Sequence, residues 1–252
     1  MNQMRNFVAF PLLLFVALFC LAPGCLAETI KLSDDVQIEK LRDGVWRHIT
    51  WTNYPGIGRY PANGLIVANE GGAILVDTGW TPEQTAKILD WIQNDLHKRI
   101  ACVVVTHWHN DRMGGINEVM RRHLLTVSSR RTALLAKAAG LPVPEKTFDE
   151  KLDLELGPGV VMQLEYPGAG HTTDNIVAWL PRQKILYGGC LIKAAKDKSL
   201  GYIKDADLNQ WPRTVARVEN DFPDAEVFIP GHGDIGGRDL LSHTLELIQQ
   251  RP

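Results

Sequence analysis

Four apolar runs in this chain end alike: a strand-forming stretch, usually one or two glycines, then a side chain able to bind a metal. "CVVVT" leads to His107, His109 and Asp111, "MQLEYPGAG" to His171, "KILYGG" to Cys190 and "AEVFIPG" to His232. A strand end is a rigid mount, and glycine lets the backbone turn sharply at the rim. The pattern asks for a fold in which four strand ends meet at one edge and present six ligands together.

The rest of the chain supplies such elements. "VQIEKLRDGVWRHITW" and "NGLIVANEGGAILVDTGW" read as strands punctuated by turns at Asp43-Gly44 and Gly71-Gly72. Between them "TNYPGIGRYPANG" is too rich in Gly and Pro for a strand interior and reads as a hairpin loop. Thr81-Pro82 opens a helix whose stripe is Ile88, Leu89, Trp91, Ile92 and Leu96. "GGINEVMRR" and "RRTALLAKAAG" read as helices around a strand at "LLTVSS", the second stopping at Gly140. Strands return in "FDEKLDLELG", "GVVMQLEYP", "NIVAWLP" and "KILYGG". "DADLNQWPRTVARVEN" reads as a helix kinked or restarted near Pro212, followed by the strand "AEVFIPG" and the terminal helix "RDLLSHTLELIQQ". This order, β-rich then mixed and repeated once, predicts an α/β chain with two sheets face to face and helices outside both.

The N-terminus belongs to none of these layers. Arg5, the apolar run Phe7 to Ala22 and the small-residue end "PGCLA" read as a signal peptide cleaved after Ala27, leaving residues 28–252 as one domain in the periplasm. The alternatives are an uncleaved anchor and lipid attachment at Cys25. The charged residues number 27 basic and 29 acidic, with no basic stripe, so nucleic acid is not an expected partner. Past the leader only Cys102 and Cys190 remain. Cys102, inside "IACVVV", reads as a buried apolar residue and Cys190 as a ligand, so no disulfide is expected.

His107 and His109 are two apart, so on an extended segment both side chains leave the same face, as chelation of one ion requires. Four imidazoles, one carboxylate and one thiol suit zinc and exceed what one tetrahedral ion needs, which predicts two Zn2+ ions. Scattered, mixed ligands favour a catalytic site over a closed structural one. Taken singly, His171 and His232 read as turn residues and Cys190 as a buried hydrophobe; the joint pattern overturns that. His48, His97, His123 and His243 read as surface or capping residues.

"THWHNDRMGG", "GAGHTTDNIVAWLP", "ILYGGCLIK" and "IPGHG", in that order, resemble the metallo-β-lactamases of subclass B1 over essentially all of residues 28–252. The resemblance implies a four-layer αββα sandwich with a dizinc groove at one edge. It puts a three-histidine zinc site on His107, His109 and His171, a second site on Asp111, Cys190 and His232, and a lysine for the substrate carboxylate on Lys193. It further implies a monomer hydrolysing penicillins, cephalosporins and carbapenems, with water activated by zinc and oriented by Asp111.

Thioesterases and lactonases of the same superfamily share "THxHxD" but usually carry a histidine after that aspartate. Here Arg112 stands there and cannot coordinate zinc while charged, so Cys190 takes the lost role. A secreted zinc-binding protein without activity is the third reading, against which the six intact ligands and Lys193 speak. One departure is Tyr202, where many members carry an asparagine near the oxyanion; its hydroxyl can donate a hydrogen bond, its ring can stack, or it can point away. The resemblance makes "TNYPGIGRYPANG" a flap over the groove offering Tyr54, Ile57 and Tyr60, and Trp80 either borders the site or packs in the core. Arg112, so near two zinc ions, needs carboxylates beside it, and Asp77 is the candidate partner.

Overall fold

Runs without polar alternation become strands buried on both faces. The computed structural model describes residues 28–157 and 159–250; the expected leader, with Cys25 and the cleavage point after Ala27, lies outside the described residues. In chain order the elements are β1 (Thr29–Ser33), β2 (Val36–Arg42), β3 (Val45–Tyr54), β4 (Gly58–Asn69), β5 (Gly72–Val76), α1 (Pro82–Asn94), β6 (Ile100–Val105), α2 (Asn110–Met113), α3 (Ile116–Arg121), β7 (Thr126–Ser129), α4 (Arg130–Ala138) and β8 (Lys146–Phe148). There follow β9 (Lys151–Glu155), β10 (Val160–Glu165), β11 (Val177–Leu180), β12 (Ile185–Gly189), α5 (Trp211–Asp221), β13 (Val227–Pro230) and α6 (Asp239–Gln249).

The first sheet runs β1 to β8 in chain order and the second runs β13-β12-β11-β10-β9. Along β6, Cys102 and Val104 enter the core between the sheets while Val103 faces outward with Ile88, Leu89 and Ile92 of α1. The second sheet sends Met162, Leu164, Ala178 and Ile185 inward to the same core, and its outer face packs on Trp211, Val215, Leu241 and Ile248 of α5 and α6. Period-2 alternation thus divides each apolar run between two cores, and the result is the helix, sheet, sheet, helix sandwich.

Three segments depart from the sequence reading. "TNYPGIGRYPANG" is mostly strand, since β3 and β4 pair out to Tyr54↔Gly58 and leave only Pro55, Gly56 and Ile57 as the turn. Pro61 is tolerated opposite Trp51 because β5 borders β4 only from Leu65 onward, so its missing N–H interrupts no strand pairing. "DADLNQWPRTVARVEN" is helical only from Trp211, with Pro212 in the first turn, where an N–H has no helical acceptor anyway. "FDEKLDLELG" is split: β8 ends the first sheet, and after Asp149 and Glu150 β9 begins the second.

His48 is a fourth correction, because it is fully buried rather than at the surface or a cap. It packs against Gly64 of β4, where a Cβ would come within 1.8 Å of Nε2, and that nitrogen donates to the carbonyls of Val76 and Asp77 at 3.3 and 3.1 Å. Burial, only partly countered by those two bonds, holds its pKa at about 4. The sign follows: between pH 6.5 and 4 the unfolded chain takes up a proton that the folded chain refuses, so stability falls as the pH drops. The loss should reach about 2.5 kcal/mol by pH 4.5. His48→Gln, which keeps a donor, is expected to lose less stability than the wild type between pH 7 and 4.5 in urea unfolding; equal acid sensitivity would overturn this assignment.

Candidate metal centre

β5 and β6 run parallel and end side by side, and their ends are tied by one carboxylate. Asp77, just past β5, has φ 61°, a conformation that non-glycine residues avoid, and it accepts from the backbone N–H and the hydroxyl of Thr106, both at 2.8 Å. That fixes the start of the turn that delivers His107 and His109. The one-turn helix α2, which the sequence did not announce, then carries Asp111 and Arg112 inward, both buried.

The three imidazoles of His107, His109 and His171 surround one point. Their ring centroids lie 4.8, 5.1 and 5.2 Å apart, each pair close to perpendicular. His109 Nε2 is 2.9 Å from a carboxylate oxygen of Asp205, so it donates there and leaves Nδ1 as its free lone pair. His107 Nε2 is buried with no hydrogen-bond partner among the described residues. Burial pushes the pKa values of His107 and His171 well below the usual imidazole range, so both stay neutral, as metal ligands must.

The second group is tighter. Asp111 Oδ2, Cys190 Sγ and His232 Nε2 are separated by 3.1 to 3.3 Å. Tetrahedral zinc with bonds of about 2.0 to 2.3 Å sets its donor atoms roughly 3.3 to 3.7 Å apart, so these atoms need to move only a few tenths of an ångström. Two glycine turns make the approach possible: Gly189 is left-handed at φ 54°, and a Cβ on Gly231 would lie 2.5 Å from Cys190 Sγ. His232 Nδ1 donates to the Pro61 carbonyl at 2.6 Å, which leaves Nε2 for the group. Burial pushes the Cys190 thiol up, only partly offset by Arg112, and a bound cation is what such a thiol needs in order to ionise. The donor set and its spacing therefore fit zinc.

Arg112 is fully buried beside this group and coordinates nothing. Its guanidinium donates to Asp111 Oδ2 at 2.8 and 2.9 Å, Asp77 Oδ2 at 3.3 Å, the Asn63 carbonyl at 2.5 Å, the Tyr187 hydroxyl at 2.7 Å and the Gly231 carbonyl at 2.8 Å. Burial works against ionisation of Asp111, but Arg112 and the His232 hydrogen bond outweigh it and hold that carboxyl well below the usual range. Asp77 goes the other way: burial raises it despite Arg112.

A cavity of about 650 Å3 opens over both groups. Lys193, nine-tenths buried, lines one wall, its Nζ 5.5 Å from the Trp211 ring centroid. Tyr202 stands half-exposed at the rim, edge-on to His109 with centroids 5.4 Å apart. The opposite wall is Tyr54, Ile57, Tyr60 and Trp80; Tyr60 stacks on His232 at 4.7 Å. Trp80 both borders the cavity and is buried, its indole N–H donating to the Thr50 carbonyl. His97 and His123 lie exposed and apart from the cavity, and His243 bonds the Asp197 carbonyl. Cys102 is buried between the sheets as a free thiol.

Two functional neighbours carry no signal in the sequence. Asp205 sits in an irregular loop among other acidic residues, and its partner His109 is 96 residues away. Asn63 closes the loop of His232 by donating to the Pro230 and Gly233 carbonyls at 2.8 and 2.9 Å, a part that only the cross-sheet contact reveals.

Comparison with known proteins agrees with this geometry. Residues 57–232 match the family described as the Metallo-beta-lactamase superfamily. A metallo-beta-lactamase type 2 of Bacteroides fragilis is 40% identical over 223 residues, 88% of this chain and 89% of its own length. A solved metallo-beta-lactamase from Pontibacter korlensis superposes with a TM-score of 0.81 at 42% identity, covering 86% of this chain and 100% of that one. The metallo-beta-lactamase FIM-1 from Pseudomonas aeruginosa, solved in a mono-zinc form, gives 0.80 at 36% identity over 87% and 98%. With the same layers, kinship of this extent and a zinc-compatible donor set at the shared sheet edge, the chain belongs to the metallo-beta-lactamase superfamily.

Proposed function

We propose that this protein is a periplasmic β-lactamase that holds two zinc ions and hydrolyses penicillins, cephalosporins and carbapenems as a monomer. The observation that carries the reading is the pair of donor groups, three imidazoles beside a carboxylate, thiol and imidazole, opening together into one cavity walled by Lys193. His107, His109 and His171 would hold one ion and Asp111, Cys190 and His232 the other. Zinc at such a site supplies an ionised water near neutral pH and polarises the amide carbonyl.

The chain's own residues do the rest. Asp111 Oδ2 is taken by Arg112, Cys190 and His232, whereas Oδ1 faces His107 Nε2 at 3.9 Å. Ionised and so able only to accept, Oδ1 orients a water between the two groups. Lys193 provides a fixed cation for the carboxylate that β-lactams carry beside the scissile amide. Tyr54, Ile57 and Tyr60 exclude water from one side and cover the apolar face of the substrate. Tyr202, at the rim of the cavity, is assigned the role of hydrogen-bond donor to a substrate oxygen; Tyr202→Phe with unchanged turnover of a cephalosporin and a carbapenem would remove that donor role. Residues 1–27 are assigned to export.

The test is hydrolysis of a chromogenic cephalosporin by the purified protein before and after a chelator, then with zinc restored. Turnover should vanish and return, with two zinc ions per chain at full activity. A fully loaded protein without turnover would defeat the reading.

A further inference from the structure

The three histidines reach one point from two separate segments. His107 and His109 follow the end of β6 in the first sheet, and His171 comes from the loop between β10 and β11 in the second. Past Val105 the β6 ladder stops, so the backbone groups of the turn that bears His107 and His109 need partners from elsewhere. Asp77 holds the start of that turn from the first sheet. The His171 loop grips it at two further points: the Ile176 N–H donates to the Thr106 carbonyl and the Trp108 N–H donates to Asp174 Oδ2, both at 3.0 Å. Trp108 lies between two ligands and Asp174 stands three residues after the third, so one hydrogen bond joins the two segments within the group itself.

Asp174 is rigidly mounted. It is fully buried, its backbone carbonyl accepts from the Ser129 hydroxyl at 3.3 Å, and Ser129 caps α4 by accepting the Thr132 N–H. The next residue, Asn175, braces the same loop by accepting the Thr172 N–H and donating to the Gly168 carbonyl. The other carboxyl oxygen of Asp174, Oδ1, is buried with no hydrogen-bond partner among the described residues. A buried carboxyl left half-satisfied calls for a reason beyond filling space, and the turn between the ligands supplies one.

We propose that Asp174 is the positioning residue of the three-histidine group, setting His107 and His109 against His171 before any ion arrives. The inference rests on the metal assignment of the proposed function and adds to it the residue that preorganises the first group. A turn left free at Trp108 would have to be ordered by the ion, and that ordering would be subtracted from the affinity.

Asp174→Ala should weaken metal binding at the three-histidine group about tenfold and leave the other group within about twofold. Cobalt(II) titration reads the two groups apart, since only the group with Cys190 gives a thiolate-to-metal charge-transfer band. Asp174→Asn, which keeps an acceptor oxygen for Trp108, should return to within about threefold of the wild type. Unchanged affinity in Asp174→Ala overturns the proposal; so does a loss shared equally by both groups, or an Asp174→Asn no better than Asp174→Ala. A measurement on the unaltered chain decides the matter should Asp174→Ala fail to fold. In the zinc-free protein the Trp108 amide should exchange with solvent deuterium at least about a hundredfold more slowly than an unprotected amide, and free exchange there also overturns the proposal. Wild-type protein that takes up no cobalt at the histidines would instead count against the metal assignment, while the exchange rate still judges Asp174.

Discussion

Cys190→Ala should leave the fold intact and cost the protein one zinc ion rather than two. The thiol belongs to the group in which Asp111, Cys190 and His232 stand 3.1 to 3.3 Å apart, and His107, His109 and His171 keep their own arrangement without it. Zinc content after dialysis is expected to fall from two equivalents to about one, and hydrolysis to drop at least about a hundredfold, beyond what loss of an outer-shell partner produces. Alanine keeps the Cβ of Cys190 and removes a single buried atom, so the unfolding midpoint should move little. Equal loss of both ions would contradict the division of ligands between the two groups.

Arg112→Met should have the larger effect on stability. The side chains are similar in length, but methionine removes every donor that the guanidinium directs at Asp111, Asp77, Asn63, Tyr187 and Gly231. Two buried carboxylates and two buried carbonyls lose their cation together, and breaking a buried pair on one side costs about 3 to 5 kcal/mol. Urea unfolding at pH 7 measures it, and a change below about 1 kcal/mol would refute the role given to Arg112. Arg112→Lys should recover little, because one ammonium cannot span Asp111 and the Gly231 carbonyl as a planar fork does. Zinc uptake should weaken as well, since Asp111 would keep its burial but lose the charge that holds it ionised.

The sequence showed the site's parts better than the fold's edges. The six donor residues were legible because each follows an apolar strand and a tight turn, and such local patterns survive in one dimension. The β3 and β4 hairpin misled because Gly and Pro argue against strand only where both edges must pair, and whether β5 reached that far was a tertiary fact. His48 misled for a similar reason: only the absent side chain of Gly64, on the next strand, makes room for its ring. Asp205 and Asn63 act on ligands far along the chain and come from segments with no periodicity to mark them.

Arg112 also sets an order of events. Its partners at Asn63 and Asp77 belong to the first sheet and those at Tyr187 and Gly231 to the second, 49, 35, 75 and 119 residues away. Until the two sheets dock, those acceptors are not gathered in one place and the guanidinium is better left in water. Asp111 therefore acquires its final setting in the closing step of folding, and a chain arrested before that step carries all six donors without a centre. Zinc held by these donors would then be captured only after the sheets dock, and would stabilise the finished sandwich more than it recruits its halves.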